Sequence, residues 1–128
     1  MTGLLGLLFY PGTLTSTVKT LVANQNTFRY VYRFYAAELY LAINFLHRNS
    51  IIHRDLKLEN ILLDAEGHIK LTDFGVSKLG ISRKEVTGTR VGTPGYQAPE
   101  VIRVMRGEEG GYTMAADWWS YGVIVFEV

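Results

Sequence analysis

The stretch His53-Arg54-Asp55-Leu56-Lys57-Leu58-Glu59-Asn60 sets a carboxylate, an ammonium and an amide within six positions, on the approach to an apolar run. Eighteen residues after Asp55 stands Asp73, followed by Phe74 and Gly75. Between the two lie Ile61-Leu62-Leu63 and Ile69-Lys70-Leu71, separated by a turn containing Ala65-Glu66-Gly67, a pattern that predicts a β-hairpin. A hairpin sets its two ends side by side, so Asn60 and Asp73 are expected to converge and to offer oxygen ligands to a hard cation such as Mg²⁺. Asp55 and Lys57 would flank that cation. Such a set suits phosphoryl transfer, in which a protein positions a hydroxyl, neutralises phosphate charge and holds metal. Taken singly, Asp55 and Asp73 read as solvated turn carboxylates; their joint spacing favours chemistry.

Several elements must hold these groups in place. Phe28, Val31, Tyr35, Leu39, Ala42, Ile43 and Leu46 recur at three- and four-residue steps, with Arg29, Arg33, Glu38, Asn44 and Arg48 mostly between them. That period predicts an amphipathic helix of about 20 residues, closed by Asn49-Ser50 and leading through Ile51-Ile52 into the polar cluster. Residues 75–99 hold five glycines and many Thr and Ser without a sustained period, which predicts a long loop. Compact domains seldom carry so long a loop without a functional reason. Met114 to Val128 is apolar nearly all round and predicts a helix buried on every side. Residues 1–27 are set apart as a poorly specified lead-in. Its run Leu4-Leu5-Gly6-Leu7-Leu8-Phe9-Tyr10 ends at Pro11-Gly12, far short of the roughly 20 apolar residues that span a bilayer, and no positive stretch precedes it as in a secretory signal.

The chain of 128 residues balances 13 Lys and Arg against 12 Asp and Glu, a formal charge of +1. That balance gives no general reason to expect nucleic acid or an anionic membrane as a partner. It hides an asymmetry, because residues 1–37 hold Lys19, Arg29 and Arg33 and no acid, and the remainder is net acidic. The absence of cysteine removes disulfide scaffolds, thiolate zinc sites and cysteine nucleophiles, and suits a reducing compartment, the cytoplasm or the nucleus. With 48% apolar and 12% aromatic residues the composition is globular, not disordered.

In order and spacing, the motifs resemble a protein kinase. His53-Arg54-Asp55-Leu56 with Asn60 resembles the catalytic loop and Asp73-Phe74-Gly75 the metal-binding motif. Ala98-Pro99-Glu100 resembles the end of the activation segment, and Asp117-Trp118-Trp119-Ser120-Tyr121-Gly122 the start of the buried central helix of the larger lobe. The resemblance covers residues 28–128. It implies an α+β, mainly α, large-lobe fragment with a long helix, a short β-hairpin, an activation segment and a central buried helix.

The same resemblance implies roles. Asp55 accepts or orients the proton of the substrate hydroxyl, Lys57 contacts the transferring phosphoryl group, Asn60 and Asp73 hold Mg²⁺, and Leu62 touches the adenine of ATP. Lys two residues after the catalytic Asp is similar to Ser/Thr kinases, where tyrosine kinases usually carry Ala or Arg nearby. Lys57-Leu58-Glu59-Asn60, the segment Thr89 to Tyr96 and Asp117-Trp118-Trp119-Ser120 are most similar to the AGC group. In that group, acids matching Glu59 and Glu127 recognise basic residues ahead of the acceptor, so protein substrates with Arg or Lys near Ser/Thr are implied. The alternative for Glu59 is an ordinary exposed charge.

Thr89 matches the activating phosphothreonine, added by an upstream kinase, with Arg54 as its partner. Its alternative is polar loop filler, since the group usually has an aromatic where Arg90 stands. Thr93 is expected to hydrogen-bond near Asp55 and to discriminate Ser/Thr acceptors, whereas Ser77, Ser82 and Thr87 are expected to be solvated. His53 and Phe74 match the stacked spine, Asp117 is expected to hold the backbone of the catalytic loop, and His47 and His68 read as structural.

Other family features have no match. The first 52 residues contain no G-x-G-x-x-G, and no acid lies between Lys19 and Glu38 to partner a phosphate-binding lysine. The small lobe is therefore expected to be absent. Val128 falls inside the central helix, so the usual Arg partner of Glu100 is expected to be missing and Val123, Ile124, Val125 and Phe126 to form an exposed apolar patch. Two functions follow: a Ser/Thr protein kinase catalytic segment using ATP and Mg²⁺, or a non-catalytic, kinase-derived interaction module.

Overall fold

The computed structural model describes Leu14 and residues 25–128. The expectations for the opening apolar run and for Lys19 lie outside these residues. Helix α1 spans Gln25–Arg48, followed by β1 (Ile51–Ile52), a 3-10 turn (Leu58–Asn60), β2 (Ile61–Leu63), β3 (Ile69–Leu71), β4 (Lys78–Leu79), α2 (Pro99–Met105) and α3 (Ala115–Glu127).

The apolar period of α1 buries Tyr35, Leu39, Ile43 and Leu46 on one face. His47 and Arg48 occupy its last turn, where cations complement the carbonyl end of the helix. Ser50, at φ 59, then turns the chain into β1, as the sequence predicts for Asn49-Ser50. Strands β2 and β3 pair antiparallel with Ile61 opposite Leu71 and Leu63 opposite Ile69. Their turn is built by Asp64, whose Oδ1 accepts the N–H groups of Glu66 and His68, while Gly67 takes φ 85. Tyr35 donates its hydroxyl to the Gly67 carbonyl, and the Glu38 carboxylate accepts the N–H of Ile69, so α1 grips the hairpin.

One core lies between α1, the hairpin and α3 and contains Leu39, Ile43, Leu56, Ile61 and Ile124. Leu14, from the stretch set apart as a lead-in, packs into this core. A second core of Ile52, Ile81, Val101, Val104, Tyr112 and Met114 lies beneath residues 75–99. That stretch is more structured than its lack of period predicts. Strand β4 pairs with β1, Ile52 opposite Lys78, and Thr87 pairs with Tyr112.

The last helix departs from expectation. Only Ala116, Asp117, Ser120 and Ile124 of α3 are buried, whereas Trp119 is 50% and Phe126 92% exposed. Apolar composition makes a helix eligible for burial; neighbours decide which faces receive it, and α3 meets α1 on one face. For the same reason Ile124, expected in the exposed patch, is 1% exposed, while Phe126, two residues on, faces out. No helix among the described residues is long and apolar enough to cross a membrane.

Candidate active site

Asp117 organises the polar loop after β1. An acid at the start of an apolar helix must find donors once buried. Its Oδ1 accepts the N–H of Arg54 at 2.9 Å; its Oδ2 accepts the N–H of His53 at 2.9 Å and Nε2 of His47 at 2.8 Å. Arg54 takes φ 73, a left-handed conformation that costs a residue with a Cβ about 1–2 kcal/mol, and the Asp117 bonds hold it there. Asp117 thus meets the expectation that it holds the backbone of this loop. His47, read from sequence as merely structural, proves to be the third donor; a histidine on the buried face of α1 and an acid opening α3 were the signals that could have paired them.

His53 is buried, and its ring packs on Phe74 with centroids 4.9 Å apart. Its Nε2 lies 3.1 Å from the Thr72 carbonyl and its Nδ1 accepts the N–H of Asp55, which assigns the hydrogen to Nε2. The loop is thereby tied to the far end of the hairpin. At that end the Asn60 carbonyl accepts both the N–H and the hydroxyl of Thr72, the neighbour of Asp73. Asn60 and Asp73 are brought to one end of the hairpin, as the spacing predicts.

The Asn60 amide nitrogen donates to the Asp55 carbonyl at 2.9 Å, which leaves the amide oxygen as the atom available to a cation. Asp73, exposed and at φ 58, makes only a long contact of 3.4 Å with the Gly75 N–H. One carboxylate and one amide oxygen fit Mg²⁺, which is usually held by one or two carboxylates together with substrate phosphates and water. Among the described residues no group of three or more His, Cys, Asp and Glu forms a self-sufficient metal cage.

Asp55 projects from the pinned loop into a three-way contact. The Thr93 hydroxyl donates to its Oδ1 at 2.5 Å, and Lys57 Nζ lies 3.1 Å from Thr93 Oγ1 and 3.5 Å from Asp55 Oδ2. The carboxylate, ammonium and hydroxyl lie within reach of one incoming hydroxyl, a geometry able to orient it and to neutralise a nearby phosphate. Leu62 sits at the centre of β2, partly exposed on the outer side of the hairpin.

Glu59 and Glu127, far apart in sequence, both act on Tyr96. Tyr96 donates to Glu127 Oε2 at 2.6 Å. Burial first, then the Glu127 hydrogen bond and charge, then the Glu59 charge push its pKa up to about 12. Ser120 donates to the Tyr96 carbonyl and so fixes this residue on α3. Two exposed carboxylates around one phenol make an acidic surface suited to a cation.

Thr89 and Arg54 are not joined by a hydrogen bond. Arg54 Nε donates to the Val76 carbonyl at 2.5 Å, while its Nη1 is buried without a partner. A buried donor left unpaired costs about 1–3 kcal/mol, more when charged. The Thr89 side chain is exposed, and its carbonyl accepts the Tyr112 hydroxyl at 2.6 Å. Two residues expected to be solvated are not: Thr87 is buried and shares a contact with the Thr89 hydroxyl, and the Ser77 hydroxyl donates to the His53 carbonyl. Small hydroxyl residues satisfy backbone groups that a long loop over a core leaves exposed. Glu100 is partly buried and belongs to no ion pair among the described residues.

The chain has known relatives. The family model described as the protein kinase domain matches residues 9–128. The chain is 56% identical over 96 residues to protein kinase C zeta type from Oryctolagus cuniculus and to atypical protein kinase C from Drosophila melanogaster, 75% of this chain and 15% of each relative. It is 54% identical over 94 residues to protein kinase C, eye isozyme, from Drosophila melanogaster, 73% of this chain and 13% of that protein. The chain therefore spans a small part of these relatives' length. With a family match over nearly its whole length and a carboxylate, lysine, amide and second carboxylate assembled around one pinned loop, the chain belongs to the protein kinase family.

Proposed function

We propose that this segment carries the phosphoryl-transfer centre of a Ser/Thr protein kinase, which moves the γ-phosphoryl of ATP to protein Ser or Thr in a basic context. The observation that carries the reading is the Asp55 carboxylate held between the Thr93 hydroxyl and Lys57, over a backbone locked by Asp117. Asp55 orients the acceptor hydroxyl and takes up its proton. Lys57 sets its charge against the transferring group, and Thr93, bonded to both, favours an aliphatic hydroxyl as acceptor. Asn60 and Asp73 would hold Mg²⁺, which supplies charge neutralisation to the phosphates. Leu62 offers apolar surface to the adenine. Glu59 and Glu127, gathered at Tyr96, accept charge-assisted hydrogen bonds from Arg or Lys of the substrate.

Thr89 is the site of an activating phosphate placed by an upstream kinase, and Arg54 is its partner: an exposed hydroxyl and a buried, unpaired Nη1 support that assignment. The second reading is a non-catalytic, kinase-derived interaction module. The two are separated by assaying transfer from Mg-ATP to a Ser peptide bearing Arg before the acceptor. The chain alone should transfer nothing above its Asp55→Asn variant. A chimera with residues 28–128 in place of the matching segment of a complete protein kinase C should be active and lose about 10³-fold with Asp55→Asn. A folded chimera without activity would leave the module reading in possession.

A further inference from the structure

We propose that Tyr112 is the positioning residue that latches the Thr87–Thr89 stretch beside the catalytic loop, its phenol holding the Thr89 carbonyl at a small cavity that Arg54 also lines. The proposal deepens the reading of Thr89 as an activation site and rests on that reading for its regulatory consequence.

Tyr112 holds residues 87–89 at three points. Its N–H donates to the Thr87 carbonyl at 2.9 Å, its carbonyl accepts the Thr87 N–H at 2.8 Å, and its hydroxyl donates to the Thr89 carbonyl at 2.6 Å. The ring is 2% exposed and lies in the second core beside Ile81, Val101 and Met114, so the hydroxyl has a rigid base. A buried phenol needs a polar partner, and this one reaches out of the apolar cluster to meet it. The approach of the two segments is unusually close: a Cβ at Gly111 would stand 2.3 Å from Val86 Cγ1 and 2.8 Å from the Thr87 carbonyl oxygen.

Tyr112 and Arg54 line the same small cavity. Burial raises the Tyr112 pKa, while the nearby charge of Arg54 pulls the other way. Arg54 keeps its Nη1 buried and unpaired. Tyr112 therefore fixes the Thr89 backbone at the rim of the cavity that Arg54 lines, while the Thr89 side chain stays exposed to a modifying enzyme. A phosphate on Thr89 would meet Arg54 already in place, without first ordering the loop.

Tyr112→Phe removes the latch and leaves the ring, its packing and both backbone bonds. On the full chain, tryptic cleavage after Arg90 should rise about fivefold to tenfold, with cleavage after Arg48 and the melting temperature unchanged. Unchanged cleavage after Arg90 would overturn the proposal. Equal acceleration after Arg48 and Arg90 would also overturn it, by making Tyr112 a core residue only.

The regulatory half has its own readout. In chain phosphorylated at Thr89, the phosphorus resonance should titrate below the ordinary value of about 6 for the second phosphate ionisation, and Tyr112→Phe should move the midpoint back towards that value. A phosphate that titrates normally in both proteins would sink the Thr89–Arg54 reading and leave the latch to be judged by cleavage alone. A depressed midpoint unmoved by Tyr112→Phe would overturn the latch.

Discussion

The Nε2 nitrogen of His47, at the end of α1, lies 2.8 Å from Oδ2 of Asp117, at the start of α3, and both side chains are buried. Since the same carboxylate accepts the N–H groups of His53 and Arg54, one acid joins two helices and the loop that carries Asp55. Asp117→Asn keeps the shape but replaces one acceptor oxygen by an NH₂ that faces a donor. The variant should lose about 2–4 kcal/mol of unfolding free energy, read from urea denaturation of the chain. A loss below about 0.5 kcal/mol would show that the network is not a stabilising centre.

Thr93 is bonded to both Lys57 and Asp55, so its hydroxyl keeps an ammonium and a carboxylate at a fixed separation. Thr93→Val preserves the shape and removes that link. In the active chimera kcat should fall about tenfold to a hundredfold, with KM for ATP little altered. An unchanged kcat would take Thr93 out of the reaction centre.

The site was legible where it is local. The hairpin between Asn60 and Asp73 is specified by two short apolar runs and a turn whose Asp64 and Gly67 perform the roles their types suggest. Asp117 was legible because an acid opening an apolar helix needs donors. His47 was legible only in part, because its place on the buried face of α1 marks a polar group in need of a partner but does not say that the acid near the other end of the chain supplies it. The two-residue strands β1 and β4 carry no period, and the Thr87–Tyr112 pair depends on a backbone approach visible only in three dimensions. The composition of α3 suggested burial all round because periodicity records the residues on a helix and not the neighbours it meets.

Glu59 and Glu127 both face Tyr96, so each charge should act on a cation placed there. In the chimera, Glu59→Lys should raise KM about tenfold or more for a peptide with Arg before the acceptor and leave a peptide lacking Arg unaffected. Glu127→Gln should do the same more weakly, since the amide still accepts the Tyr96 hydrogen bond. Equal effects on both peptides would show a general electrostatic or folding defect and remove the basic preference.

The staple between α1 and the hairpin predicts a pH dependence. The Glu38 carboxylate, by hydrogen bond first and charge second, raises the pKa of His68 above 6.5. Because the folded value exceeds the unfolded one, the stabilisation is full below pH 6.5 and fades as pH rises through the raised value. Asp64 has the opposite sign: the His68 N–H bond leads the lowering of its pKa from 3.8, so its contribution is present above that pH and fades as pH falls through the lowered value. Melting temperature across pH 5–8 should fall at the alkaline end in the native chain, and Glu38→Gln should flatten that slope. A slope unaltered by Glu38→Gln would place its source elsewhere.

Gly111 separates the latch from the core. A Cβ there meets a movable methyl of Val86 at 2.3 Å, but also the Thr87 carbonyl oxygen at 2.8 Å, and that oxygen belongs to backbone paired with Tyr112. Rotation of Val86 relieves the first clash and nothing local relieves the second, so the pair must part. Gly111→Ala should therefore destabilise the chain by about 1–3 kcal/mol and speed amide exchange at Thr87 and Tyr112 more than within α1. Adding Val86→Ala should recover only the part due to the methyl. Full recovery would show that the backbone approach exerts no constraint and that the Thr87–Tyr112 pair tolerates a side chain.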